Sequence, residues 1–151
     1  MTKYNNSLHS FSVNDKVFES LNNEIISNKK SLIPQPVVII GQQGAGKTTL
    51  LKRLYESYPD DKRIWIDGRT IFDSSDIIDS HDISKKNLLF IDDINYYFTR
   101  SSYEDQYKLR GFLYNEKSPM MIASMSRVIP AISEYEAPFF EGLKIVYLHT
   151  D

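Results

Sequence analysis

The chain has 151 residues, no cysteine and a formal net charge of −2, which suits one domain with a substantial core and is too short for two ordinary ones. Lack of cysteine excludes disulfides, thiolate chemistry and cysteine-based zinc sites, and a pI of about 5.9 leaves no global basic field to hold nucleic acid by its phosphates. His9, His81 and His149 are too scattered to suggest a metal site, and no stretch reads as a signal peptide or a membrane span, so a cytoplasmic protein away from the membrane is expected.

Residues 1–10 are polar and read as loose. Ser12 and Asp15 then fit a helix-start box, and Val17, Phe18, Leu21 and Ile25 form an apolar stripe behind it, predicting a helix over residues 14–28. The basic pairs Lys29-Lys30, Lys52-Arg53 and Lys85-Lys86 are too short to make a binding stripe and read as solvated surface.

Val37-Val38-Ile39-Ile40 is an unbroken β-branched run, the pattern of a strand buried on both faces in a parallel sheet. Directly after it, Gly41-Gln42-Gln43-Gly44-Ala45-Gly46-Lys47-Thr48 fits the nucleoside triphosphate clamp G-x-x-x-x-G-K-[ST] without a mismatch. Its glycines let the backbone curl so that N–H groups point at the phosphates. Lys47 supplies a movable positive charge for the β- and γ-phosphates, and the Thr48 hydroxyl can ligate Mg²⁺. Downstream, Leu50, Leu54 and Tyr58 recur at four-residue spacing beside Leu51 and Tyr55, predicting a helix that Pro59 stops. The N-terminus of that helix faces the phosphates and favours anions. Gly41 to Thr49 is thus the candidate nucleotide-binding set, with Thr49 on the first turn of the helix.

Arg63-Ile64-Trp65-Ile66-Asp67 reads as a second strand ended by Gly68, and residues 70–82 as a short helix or two turns. Leu88-Leu89-Phe90-Ile91-Asp92-Asp93 carries the second chemical signal. An apolar strand ends in two carboxylates on the side where open α/β sheets bind ligands. Asp92 can hold the water shell of Mg²⁺, and Asp93 can orient or deprotonate the attacking water. The aspartate side chain is shorter than the glutamate many such ATPases carry there, and an ordinary strand-end turn would look the same. Asn95-Tyr96-Tyr97-Phe98 reads as an aromatic cluster, packed over the sheet or forming a partner surface. A helix follows over residues 103–115. Met120-Met121-Ile122-Ala123-Ser124 reads as a fourth strand. At its tip Ser124 or Ser126 could position water, and Arg127 either senses the terminal phosphate or is a surface cation at a helix start. Residues 131–136 form a short helical or irregular segment, and Leu143-Lys144-Ile145-Val146-Tyr147-Leu148 a fifth strand.

The order of these elements, with LLFIDDIN as the acidic strand and MMIASMSR as a polar-ended one, resembles the core of the AAA+ ATPases and the related STAND ATPases over residues 37–148. LLFIDDIN is similar to the IDDI of bacterial replication initiators and helicase loaders, and EYEAPFFEGLKIVYL to the matching stretch of Orc/Cdc6-like members. The resemblance implies an α/β P-loop NTPase fold, a three-layer αβα sandwich on a five-stranded parallel sheet of order 5-1-4-3-2. It implies ATP rather than GTP, since no guanine-reading N/T-K-x-D motif is present, with Mg²⁺ as cofactor. In related domains the first helical segment lies over the adenine, so Phe11 and Val13 either touch the base or are core residues. The helical lid that follows the fifth strand in the family, with its second sensor arginine, has no counterpart here, and residues 128–143 contain no arginine to serve as a finger for a neighbour. Weak hydrolysis is therefore expected, with a protein partner or a separate lid domain completing the site. DNA is a partner the family allows but the charge does not indicate. Two other readings stay open: a small P-loop phosphotransferase, and a nucleotide-binding interaction module without significant catalysis.

Overall fold

The protein was studied as a computed structural model, which describes residues 3–5, 10–42, 44–80, 82–116, 118–126 and 143–149. Six parallel strands, β1 (Lys3–Asn5), β2 (Val37–Gly41), β3 (Arg63–Asp67), β4 (Leu88–Asp92), β5 (Met120–Met125) and β6 (Lys144–His149), form one sheet in the order β1-β6-β2-β5-β4-β3. Leaving out β1, the remaining strands stand in the expected order, with the polar-ended β5 between the clamp strand and the acidic strand.

Both faces of the central strands are covered, so hydrophobic residues run without interruption rather than alternating with polar ones. Val37, Ile39, Leu88, Phe90, Ile122 and Val146 face one core, and Val38, Ile40, Leu89, Ile91, Ala123 and Met125 face the other. The first core is closed by α1 (Ser10–Asn28) and α2 (Lys47–Glu56), whose Val17, Leu21, Ile25, Leu50, Leu51 and Leu54 are buried. Each such side chain contributes about 1.5–3 kcal/mol on leaving water. The second core lies under α3 (Ser75–Ile78), α4 (Asn95–Arg100) and α5 (Tyr103–Leu113), with Ile77, Ile94, Tyr97, Leu109 and Leu113 pointing inward. The result is the αβα sandwich that the sequence implies.

Two boundaries differ from expectation. The segment read as loose contains β1, which pairs with β6 in the register Lys3↔Tyr147 to Asn5↔His149. It covers backbone groups that β6 would otherwise present as an open edge. The first helix begins at Ser10 rather than near residue 14. Asp15 is not part of a start box but sits inside the helix, pairing with Arg53 of α2 at 2.9 Å. Residues 131–136 lie outside the described residues.

Candidate functional site

The C-terminal ends of β2, β4 and β5 meet at a cavity of about 440 Å³ whose lining includes Gly44, Gly46, Lys47, Thr48, Asp93 and Ser126. The clamp shapes one wall. Gly44 and Gly46 have φ of 90° and 85°, a left-handed conformation that a Cβ resists. Gly46 caps α2 and, having no side chain, makes no side-chain hydrogen bond to the amides of the first turn. Lys47 follows as the first residue of α2 and is only 6% exposed. Gly41 and Ala45 are buried, whereas Thr49 is exposed and also lines the cavity. Gln42 is exposed as well, and Gln43 lies outside the described residues.

The opposite wall is the end of β4. The Thr48 hydroxyl donates to both carboxylate oxygens of Asp92, at 3.1 and 3.2 Å, joining two segments that stand 44 residues apart in sequence. Ser124 at the end of β5 is completely buried and uses its hydroxyl twice. It donates to Asp92 at 2.6 Å and accepts from the backbone N–H of Asp93 at 2.9 Å. Ser124 therefore holds the acidic pair, while Ser126, one turn of chain further, lines the cavity. Ser124→Ala strips both contacts from a dry environment and is expected to cost about 1–3 kcal/mol of stability, read by urea unfolding.

Asp93 stands apart from its neighbour. Its φ of 56° is left-handed, an orientation aspartate tolerates better than most residues, and its side chain faces the cavity. Burial raises its pKa above the ordinary aspartate value, the Asp92 charge raises it further, and Lys47 and Arg69 oppose the shift.

Several residues of this site are not singled out by the sequence. Asn95 is buried, and its carbonyl oxygen accepts from both the N–H and the hydroxyl of Ser126 at 3.3 Å, tying the turn after β4 to the turn after β5. Tyr96 adds to the cavity lining. Gly68, after β3, abuts the end of β4. Arg69 is paired with Asp67 at 2.8 Å, which holds the Asp67 carboxyl below the usual range, and Arg100 donates to the Arg69 carbonyl at 2.9 Å. In the sequence Asn95 and Tyr96 appear only as members of an aromatic cluster and Gly68 only as the end of a strand. Arg127 and the side chains of Phe11 and Val13 lie outside the described residues.

A protein-family model described as ABC transporter matches residues 34–146, from the approach to β2 into β6. The chain belongs to that family of P-loop NTPases. The fold of this P-loop NTPase is similar to that of the DnaA replication initiator solved with AMPPCP and single-stranded DNA, with a TM-score of 0.61 and 19% identity over 90% of this chain and 45% of that one. Domain III of Thermotoga maritima DnaA gives a TM-score of 0.57 at 17% identity, over 87% of this chain and 62% of that one. C. elegans PCH-2 gives 0.56 at 13% identity, over 91% and 43%. At such identities the likeness is one of fold, and the chain spans between 43% and 62% of the length of these proteins. No curated protein sequence matches the chain. Among the described residues, no helix of this nucleotide-binding domain is long and apolar enough to cross a membrane.

Proposed function

We propose that this domain binds Mg-ATP and hydrolyses it slowly, acting in the cytoplasm as a switch whose shape follows the γ-phosphate. The observation that carries this reading is the meeting of the Thr48 hydroxyl and the Asp92 carboxylate at 3.1 Å beside Lys47. These are hard oxygen donors on the phosphate side of the clamp, few in number. That suits a cation which keeps most of its water and takes its remaining ligands from the substrate phosphates. Magnesium held there would neutralise charge on the β- and γ-oxygens.

The chain's own residues then have distinct tasks. The amides after Gly44 and Gly46 and the Lys47 ammonium hold the phosphates, and the buried Ser124 keeps Asp92 and Asp93 in register. Asp93 orients a water toward the γ-phosphorus. As the new P–O bond forms and the bond to the bridging oxygen breaks, Asp93 takes the proton. ATP is favoured over GTP because no guanine-reading motif is present, and the similar DnaA structures carry the ATP analogue AMPPCP. The hydrogen bonds from Ser126 to Asn95 supply the switch, since a change at the γ-phosphate would move α4 through the turn that bears Asp93. A protein partner or lid domain, with Arg127 as sensor, would complete the transition-state charge. DNA is a further partner to test.

Single-turnover hydrolysis tests the reading. Asp93→Asn is expected to keep ATP binding and lower the rate at least about 100-fold. If it hydrolyses at the wild-type rate, Asp93 is not the base. The pH dependence has a definite sign. Asp93 is charged only above a pKa raised over the ordinary value, so the rate should fall as pH drops through that raised pKa. In the nucleotide-free protein the folded state binds the proton more readily than the unfolded one. Stability therefore declines as pH rises from the ordinary aspartate value through the raised one, and Asp93→Asn should flatten that slope.

A further inference from the structure

A second concavity, of about 310 Å³, opens at the other end of the sheet, where β4 and β5 begin, and its lining includes Lys29, Lys30, Ser31, Lys86, Asn87 and Ser118. We propose that it is a binding site for a phosphate-bearing anion, separate from the nucleotide cavity. Strands of five and six residues lie between the two, a separation of roughly 15–20 Å at about 3.3 Å per residue.

Two basic pairs that look unremarkable in sequence meet here. Lys29 and Lys30 follow the C-terminus of α1, where a cation also complements the helix dipole. That account does not cover Lys86, which arrives from the connection between β3 and β4. The lining holds three lysines and a single carboxylate, Glu116, and the Lys86 ammonium also donates to the Asp60 carbonyl at 3.4 Å. Among the described residues none of the three lysines forms an ion pair. Ser31, Ser118 and Asn87 add hydroxyl and amide groups suited to the remaining oxygens of a phosphate.

The walls are held in place by the backbone. Asn28 grips Gln35 twice, donating to its carbonyl at 2.7 Å and accepting from its N–H at 3.0 Å, which closes the loop carrying Lys29, Lys30 and Ser31. Lys29 is also fixed over the Tyr58 ring at 5.2 Å. On the other side, the Asn87 N–H donates to the Lys62 carbonyl and the Met120 N–H donates to the Asn87 carbonyl, both at 2.9 Å, so the backbone beside Lys86 is fixed where β4 begins. Lysine is a compact point charge that serves phosphates without demanding bidentate geometry.

Titration of the ¹⁵N-labelled full chain with potassium phosphate, against potassium chloride at matched ionic strength, tests the site. Amides 29–31 and 86–87 report this cavity and amides 44–49 report the clamp, so the two read independently. Saturable displacement at the first set, weakened about tenfold or more by the double variant Lys29→Gln/Lys86→Gln, is expected. Glu116→Gln should tighten binding, an outcome that misfolding cannot mimic. Equal displacement by chloride, no saturation up to tens of millimolar, or an unchanged titration in the double variant would overturn the proposal. A twelve-residue oligothymidylate separates the sources of the phosphate. Tighter binding than inorganic phosphate at the same amides assigns the site to a nucleic acid strand, and equal or weaker binding assigns it to a small phosphorylated ligand.

Discussion

Lys47→Ala is expected to abolish stabilisation by Mg-ATP while leaving the nucleotide-free protein about as stable as before. Lys47 as a residue is 6% exposed, and among the described residues no carboxylate forms an ion pair with it. In the empty fold the burial of Lys47 is opposed by its attraction to Asp93, whose upward pKa shift it counters, so removing the side chain leaves the stability of the nucleotide-free protein little changed. In the proposed function the Lys47 ammonium is the positive side chain that holds the triphosphate, so without it the clamp amides would hold that charge alone. If the wild-type protein binds at micromolar strength, millimolar Mg-ATP stabilises it by about 4 kcal/mol, or roughly 8–16 °C in a domain of this size. Thermal unfolding with and without nucleotide reads both quantities. A variant that keeps the full nucleotide shift would place the phosphates elsewhere than in the clamp.

How far the sequence could see depended on whether a feature is local. The clamp was legible because it is a covalent spacing with few conformational solutions. Gly44 and Gly46 must adopt positive φ, Lys47 must follow at once, and a buried strand and an amphipathic helix must flank them. The acidic strand was legible for a similar reason, since four apolar residues ending in two carboxylates declare both burial and polarity. What failed was either too short to have a period or made only by tertiary contact. β1 has three residues, two of them polar, and no alternation can be read from so few. α4 spans six residues, less than two turns, so Asn95 to Phe98 looked like a cluster rather than a helix. Asp15 looked like a capping residue because its partner, Arg53, lies in another helix.

Ser124 shows the boundary between the two cases. Its place at the tip of a strand suggested a group facing the γ-phosphate, and strand order does bring it to the acidic strand. Yet Ser124 is fully buried with its hydroxyl taken up by Asp92 and the Asp93 N–H, and it is Ser126, past the end of β5, that lines the cavity. Face selection depends on register, which a sequence fixes only when polar and apolar residues alternate. β5 is buried along its whole length and offers no such alternation. The same lack of contrast hid Asn95, whose role appears only once β4 and β5 lie side by side.

Gly68→Ala should damage the site from outside it. In sequence Gly68 merely ends a strand, but in the fold it directly follows β3 and lies against the backbone of the acidic turn. A Cβ there would stand 2.2 Å from the Asp93 carbonyl oxygen and 2.5 Å from that of Asp92. Both are backbone atoms and cannot swing aside as a side chain would. The β3–β4 register, with Asp67 opposite Asp92, must loosen or the Asp92-Asp93 turn must shift. Forced overpacking of this kind costs about 1–3 kcal/mol and sometimes more, here at the upper end because the obstacle is main chain. The turn is also the one whose N–H is held by Ser124, so displacement should break that bond and carry the Asp92 carboxylate away from Thr48. The expected result is a melting temperature lower by roughly 6–12 °C, with hydrolysis lost even at temperatures where the variant stays folded. Nucleotide affinity should fall less than activity, because Gly44, Gly46 and Lys47 are untouched. Wild-type stability and turnover in Gly68→Ala would mean that β3 does not press on the acidic turn as the structure has it. Gly111→Ala, at a helical position where an added Cβ meets nothing within 4 Å, provides the matched control and should be neutral or stabilising.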